Sequence, residues 1–468
     1  NIRSGADLPL WDVVVPGRVT GLLVEAVSLD SLPAGQDIPV AALIDRIEGD
    51  EYIPARVVAI IARHDIPHLS HIAVRARQAR VVFVVCEDPV LVRGIRALTG
   101  QNVQIDAPTE GAVTEISPVP ADREAAAGPK GTYQTLPGIS EVDLSSGDHL
   151  LPLTRVTLMN GGGKADGARR LAGISTSGNA GFSVPAGMVV PFGVMAHALR
   201  AEPDLAKEYG LLSGSIDSLL PAEAEAALKR LRQITDRLKV PDSIVRAAAA
   251  SFGSDSMLMV RSSANCEDLE GMSGAGLYDS VVNVSPADLA AAVRRVWSSL
   301  WNRRAAEGRK IAGLPHHAAY MAVLIQEMIV PEFSFIIHTV NPAGRDRDEL
   351  YLEVAAGLGE ILASAHIPGA PYRMVINKKT EKVQLISFAS FSRAARPGGA
   401  GGSVLETVDY SRIRLSTVMG AAETLGVHIA RIGRAVEESL GMPQDIEGLL
   451  ADDTVYLVQS RPQQVVIY

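Results

Sequence analysis

Short β-branched apolar runs dominate the first part of the chain, and helical spacing alternates with strands in the rest. Residues 1–110 hold VVVPGRVTGLLVEAV, IPARVVAII and ARVVFVV, punctuated by Pro, Gly and Asp. That pattern predicts strands separated by tight turns. Val57–Ala62 and Val81–Val85 read as consecutive strands. Between them Ser70 stands as an N-cap and HIAVRARQA as a short helix. Residues 111–150 change character: GAVTEISPVPADREAAAGPKGTYQTLPG is rich in Pro, Gly, Ala and Thr without a sustained period. A linker with a mobile centre is expected there.

From 151 to 468 the period changes repeatedly. EAEAALKRLRQITDRLKV is an amphipathic helix that stops before Pro241, and DLAAAVRRVWSSLWNRR has the same spacing. Trp297 and Trp301 lie on that second helix, flanked by Val293, Val296 and Leu300, which favours a core stripe over a sugar platform. MAVLIQEMIV and SFIIHTV read as buried strands on either side of a turn at Pro331–Glu332, and TVYLVQS as another near the C-terminus. The pattern gives an α/β multidomain chain: a β/α unit over 1–110, the linker over 111–150, and a larger two-lobed unit over 151–468.

Composition narrows the function. The 468 residues carry a net charge of −9, so no overall basic field exists to hold nucleic acid or an anionic membrane. Uninterrupted apolar runs fall far short of the roughly 18–20 residues that span a bilayer. At 4% aromatic residues the chain is poor in rings for stacking sugars or single strands. Cys86 and Cys266, the two cysteines, form neither a disulfide framework nor a zinc spacing and fit a reducing compartment. The chain starts at Asn1 without a signal pattern and reads as a fragment or processed chain.

Candidate chemistry falls in five places. His71 opens the predicted helix, where unpaired N–H groups disfavour an imidazolium but suit a histidine bearing phosphate. Arg75, four residues on, shares its face and can pair with phosphoryl oxygens. From this segment alone, a surface or capping histidine is the simpler reading, and His64 and His68 read as polar loop residues. NGGGKADGARRLAGI is a glycine turn, then Lys164, then a helix; it is not a Walker A loop, because Ala165 follows the lysine. MLMVRSSANCEDLEGMSGAG ends a strand in Arg261 and continues into hydroxyls and glycines, a credible polyphosphate grip. Gln326, Glu327 and Met328 end a strand whose backbone N–H and C=O groups are expected to meet an adenine edge. In DIEGLLADDTVYLVQSRPQ a hairpin would set Glu447 beside Gln459, hard oxygen donors suited to Mg²⁺ shared with phosphates. Arg461 would share the face of Gln459 and neutralise charge on a transferring phosphoryl group.

Together these stretches resemble the catalytic region of the glucan, water dikinases, within the pyruvate-phosphate-dikinase and phosphoenolpyruvate-synthase superfamily. LSHIAVRAR looks like the family's phosphohistidine motif. GGGKADGARRLAG, VRSSANCEDLEGMSGAGLYDSV, VLIQEMIVPEFSFIIHTVNPA and QDIEGLLADDTVYLVQSRPQ look like its nucleotide domain. The resemblance covers nearly the whole chain, and the order of histidine domain before nucleotide domain is that of the glucan dikinases. PHLSHIAVRARQ and MVRSSANCEDL lean toward the phosphoglucan, water dikinases. The CxxxC motif of the α-glucan group is incomplete, with Val82 opposite Cys86.

The resemblance implies a swivelling phosphohistidine domain followed by an ATP-grasp-like domain. It implies ATP contacts from Lys164, Arg261, Arg461 and Gln326–Met328, and Mg²⁺ on Glu447 and Gln459. Its reaction passes one phosphate of ATP through His71 to a glucan or phosphoglucan and another to water. A carbohydrate-binding module is expected upstream, and the compartment would be a plastid stroma in a plant or alga and the cytoplasm elsewhere. Two rival readings are a dikinase with another acceptor and a non-catalytic nucleotide-binding module. The joint presence of Lys164, Arg261, Glu447, Gln459, Arg461 and His71 argues against the latter.

Overall fold

A computed structural model describes residues 11–33, 38–49, 51–108, 114–119, 141–145, 147, 149–177, 181–267, 274, 276–342, 344, 346–399 and 401–463. It is a mixed α/β structure built on three large sheets.

The first sheet comprises β1 (Trp11–Val15), β2 (Gly17–Ala26), β3 (Val40–Ile44), β4 (Val57–Ala62), β5 (Val82–Cys86), β6 (Asn102–Ala107) and β7 (Glu115–Pro118). Their spatial order is β1-β5-β4-β3-β2-β6-β7. The runs β2 to β3, β3 to β4 and β4 to β5 are parallel. VAALI, VVAIIA and VFVVC are continuously apolar because both faces of those strands are covered. Helix α1 (His71–Gln78) packs Ile72, Ala73 and Ala76 on one face, and α2 (Pro89–Arg96) packs Ile95 on the other. Ser70 occupies the N-cap position of α1, but its Oγ donates to the Pro67 carbonyl at 2.7 Å instead of capping the helix. Strand β7 lies inside the segment expected as linker, so the first sheet continues past residue 110. Most of 111–150 falls outside the described residues. Near its end, Asp143 N–H donates to the Met159 carbonyl at 2.7 Å.

The second sheet and its helices comprise β8 (Leu151–Pro152), α3 (Leu158–Ser177), β9 (Gly187–Val190), α4 (Phe192–Arg200), α5 (Pro203–Ser215), α6 (Pro221–Arg237), α7 (Asp242–Phe252), β10 (Leu258–Ala264), β11 (Ser280–Val284), α8 (Leu289–Ser298), α9 (Arg303–Ile311) and β12 (Met321–Glu327). Its strand order is β11-β10-β12-β9-β8. One face carries an apolar core that includes Trp297 and Trp301, both 0% exposed. They are core, with no ring offered to a sugar. The other face carries α3 and α4 through Ala165, Ala168 and Phe192.

The third sheet takes over at the turn after β12. Its elements are β13 (Phe333–His338), β14 (Glu349–Ala356), α10 (Glu360–Ser364), β15 (Tyr372–Asn377), β16 (Val383–Ser387), the hairpin β17 (Arg393–Pro397) and β18 (Ser403–Thr407), α11 (Arg414–Thr417), α12 (Ala421–Leu440), β19 (Gln444–Ala451) and β20 (Thr454–Pro462). The order is β16-β15-β14-β13-β19-β20. The turn at Pro331–Glu332 therefore crosses from one sheet to the next and does not close a hairpin. Helix α12 covers the third sheet closely: a Cβ on Gly433 would lie 3.1 Å from Leu350 Cδ1.

Candidate active site

Helix α3 joins the second and third sheets. The glycine run bends at Gly162 (φ +79), where a Cβ would come within 2.5 Å of the Ser263 carbonyl oxygen. Only glycine reconciles that backbone with that approach. The turn lets Ala165 N–H donate to Ser263 Oγ at 3.1 Å. One turn further, a Cβ on Gly167 would sit 2.7 Å from the Ser460 carbonyl oxygen on β20. Lys164 is thereby held over the junction. Its Nζ lies 2.7 Å from Glu267 Oε1 and donates to Ser262 Oγ at 3.1 Å.

Arg261 on β10 reaches across the junction. Its Nη2 donates to Gln459 Oε1 at 2.7 Å and to Glu447 Oε2 at 3.2 Å, and its Nη1 to the Val458 carbonyl at 2.8 Å. The ladder of β19 and β20 sets Glu447 opposite Gln459 and Asp445 opposite Arg461. Arg461 is paired with Asp445, Nη2 to Oδ2 at 2.8 Å and Nε to Oδ2 at 2.9 Å. Burial alone would raise the Asp445 carboxyl. Arg461 and then His338, whose Nε2 is 3.7 Å away, outweigh it and hold Asp445 well below the usual carboxylate range. Asp445 and His338 were not singled out from sequence. The alternation of β19 does put Asp445 on the face of Glu447, a signal the pattern contained.

The oxygens of Glu447 and Gln459 converge on one guanidinium nitrogen, so the two side chains can share a single cation. Among the described residues no three His, Cys, Asp or Glu side chains cluster as a self-sufficient metal site. Two hard donors with the remaining positions left to phosphates and water suit Mg²⁺.

Gln326 is buried, with Oε1 3.4 Å from Arg261 Nη1. Its side chain belongs with the cationic cluster. The N–H groups of Glu327 and Met328 are already taken, by the Ala186 carbonyl at 2.9 Å and the Met257 carbonyl at 2.9 Å. In this arrangement both N–H groups are bonded within the protein, which ties the strand end to its neighbours on both sides.

His71 meets this cluster from the first sheet. As the first residue of α1 it is half-buried, and a Cβ on Gly276 would lie 2.6 Å from its Nδ1 and 3.0 Å from Arg75 Nη1. Gly276 (φ +68) belongs to the SGAG stretch that follows β10. Residues 268–273 and 275 of that stretch lie outside the described residues. Arg75 Nη2 donates to the carbonyls of Gly49 at 2.6 Å and Glu51 at 2.9 Å, bracing the neighbouring loop. Burial, then the positive charges of Arg75, Arg461 and Lys164, hold the His71 imidazole well below its ordinary value of 6.5, with Asp445 opposing. The imidazole is neutral at neutral pH, the form with a nucleophilic lone pair.

His68 is not a loop bystander. It is 7% exposed, with Nε2 2.9 Å from Asp12 Oδ2 and Nδ1 3.2 Å from the Tyr351 hydroxyl on β14. Its partners lie far away in sequence, which is why the local pattern gave no sign of them.

The pyruvate phosphate dikinase AMP/ATP-binding domain matches residues 160–467, and the alpha-glucan water dikinase phosphohistidine-like domain matches residues 10–122. Chloroplastic alpha-glucan water dikinase of Citrus reticulata is 29% identical over 99% of this chain and 32% of its own length. That of Solanum tuberosum is 28% identical over 99% of this chain and 32% of its own length. Rifampicin phosphotransferase of Bacillus subtilis is 32% identical over 50% of this chain and 27% of its own length. The chain thus spans about a third of the length of the two glucan relatives. Both carry the alpha-glucan name, so the lean toward the phosphoglucan group draws no support from them. With residues 160–467 inside the first match, the chain belongs to the pyruvate phosphate dikinase AMP/ATP-binding domain family.

Proposed function

We propose that this chain is the catalytic region of a glucan or phosphoglucan, water dikinase. The reaction converts ATP, glucan and water to AMP, phosphorylated glucan and phosphate, through a phosphohistidine on His71. One observation carries the reading: a neutral histidine at a helix start lies against Gly276, within the field of Lys164 and Arg461.

In this reading residues 151–468 form a two-lobed, ATP-grasp-like nucleotide domain, with ATP between the second and third sheets. Lys164, Arg261 and Arg461 bind the phosphates, and Gln326–Met328 border the base. Glu447 and Gln459 would hold Mg²⁺, which spreads phosphate charge when bound. A His71 ring nitrogen forms a bond to the β-phosphorus, directly or with the γ-phosphate still attached. The bond between the β-phosphorus and the AMP oxygen breaks, and AMP leaves. The γ-phosphate goes to water. Arg75 pairs with the phosphoryl oxygens on the histidine. The histidine domain, which runs through β7, then swivels on the part of the expected linker that follows that strand and gives its phosphate to a glucosyl hydroxyl. The chloroplastic relatives support a plastid stroma if the source is a plant or alga; the cytoplasm is the alternative.

The likeness to rifampicin phosphotransferases over half the chain favours one second reading, the same half-reaction with a different acceptor. ATP labelled separately at the β and γ positions, with Mg²⁺ and with or without glucan, tests both. β-Label on His71 that moves to glucan, with γ-label released as phosphate, is the expected result. β-Label that stays on His71 supports the second reading. Formation of ADP alone overturns the dikinase.

A further inference from the structure

The first and third sheets meet along a seam that is polar at its centre. Arg373 on β15 is 3% exposed. Its Nη1 lies 2.9 Å from Asp12 Oδ2, its Nη2 2.9 Å from Asp65 Oδ1, and its Nε 3.3 Å from Glu353 Oε1. It also donates to the Ile66 carbonyl at 2.5 Å. Glu353 on β14 is 0% exposed and accepts the N–H groups of His68 at 2.7 Å and Leu69 at 2.9 Å. The Tyr351 hydroxyl meets His68, and Gly369 N–H donates to the Asp65 carbonyl at 3.2 Å. Apolar residues interlock beside them. Leu69 joins the core of the third sheet, and Ala365 joins the core under α1.

We infer that Glu353 and Arg373 form a reversible latch that docks the histidine domain and sets the position of His71 for phosphorylation. The inference rests on the phosphohistidine reading above. The latch touches the chain at residues 65–69, immediately before α1. Arg77 Nη1 donates to the His68 carbonyl at 2.7 Å, and Ser70 Oγ to the Pro67 carbonyl at 2.7 Å. The segment is thus braced from its own domain as well, and a shift at His68 and Leu69 carries into His71. Glu353 and Arg373 act through that backbone and are positioning residues.

The charge pattern explains why docking can be undone. Separating a buried ion pair is costly when it strands one charge. Here each side keeps a partner: Arg373 retains Glu353, Asp12 retains His68, and Asp65 retains the Ile66 N–H at 2.9 Å. A polar seam of this kind resembles the interfaces that come apart in service. That property is what a histidine serving two sites requires.

The test compares wild type with Arg373→Met, Glu353→Gln, Asp12→Asn and Asp65→Asn in the full chain. Three quantities are measured: the affinity for a non-hydrolysable ATP analogue, the rate of β-label transfer to His71, and a spin-label distance. The labels sit on cysteines introduced at the exposed positions of Arg93 and Glu438. Expected are analogue affinities within about twofold of wild type, a broadened distance distribution, and transfer slower by about tenfold or more. Unchanged transfer rates overturn the latch as a positioning device, whatever the distances do. If Arg373→Met or Glu353→Gln loses the analogue through misfolding, the Asp12 and Asp65 variants on the opposite domain decide. A broadened distance together with slowed transfer there supports the latch, and an unchanged distance or an unchanged rate overturns it. If wild type takes no label, the phosphohistidine reading fails, and the distances still decide whether the latch holds the domains together.

Discussion

Gly276 and His71 stand so close that no side chain fits between them: a Cβ on the glycine would be 2.6 Å from the imidazole Nδ1. The contact joins the glycine stretch after β10 to the first turn of α1, and it fixes how far the histidine enters the cationic junction. Gly276→Ala should push the ring back by about an ångström, a displacement that costs on the order of 100-fold in a positioned reaction. Single-turnover transfer of β-label to His71 measures it. A rate within twofold of wild type would show that the contact does not set the nucleophile.

Acid should act on the same ring. The His71 imidazole is held below 6.5 by burial and by Arg75, Arg461 and Lys164. A depressed value means that the folded protein binds the proton less well than the unfolded chain does. The stability linked to this ring is therefore full above pH 6.5 and declines as pH falls through and below it. The acid limb of His71 phosphorylation is expected below pH 6.5, and a pH–rate profile under single-turnover conditions checks it. A midpoint above 6.5 would contradict the assigned environment.

Glu447→Gln keeps the shape of the side chain and removes its charge. The carboxylate now faces Arg261 at 3.2 Å and is the charged member of the convergent oxygen pair. The Mg²⁺ concentration for half-maximal label transfer should rise by about an order of magnitude, and chelation of Mg²⁺ should stop transfer in both proteins. An unchanged Mg²⁺ titration would remove Glu447 from the ion's site.

Gly162→Ala addresses the turn under Lys164. Its φ of +79 disfavours any side chain, and the new methyl would lie 2.5 Å from the Ser263 carbonyl oxygen. A loss of about 1–3 kcal/mol is expected from strain of this kind. Thermal unfolding should show it, together with weaker binding of the ATP analogue, since Lys164 moves with the turn. Full stability and unaltered binding would mean that the turn relaxes freely.

Local patterning read the first sheet well. The β-branched apolar run that predicts Val57–Ala62, and the Ser70–His71 helix start, describe features whose causes lie within a few residues of each other. The hairpin register of Glu447 and Gln459 was legible for the same reason, because short connections leave few alternatives. What escaped depended on distant partners. His68 looked like a loop residue because Tyr351 and Glu353 belong to another sheet. The N–H groups of Glu327 and Met328 looked available because Ala186 and Met257 come from elsewhere in the chain. The strand β7 was lost in a stretch whose composition resembles a linker, and only its pairing with β6 makes it a strand.

Glu353 also gives the molecule a built-in clock. The amides of His68 and Leu69 are hydrogen-bonded by a carboxylate that belongs to a different sheet. On the latch inferred above, opening of the seam would expose those two amides to solvent deuterons while the strands of both domains stay paired. Their exchange rates would count undocking events, while amides in the middle of β3 and β4 count global unfolding. Two adjacent residues thus separate, on one chain and in one experiment, how often the domain leaves its dock from how often it loses its fold.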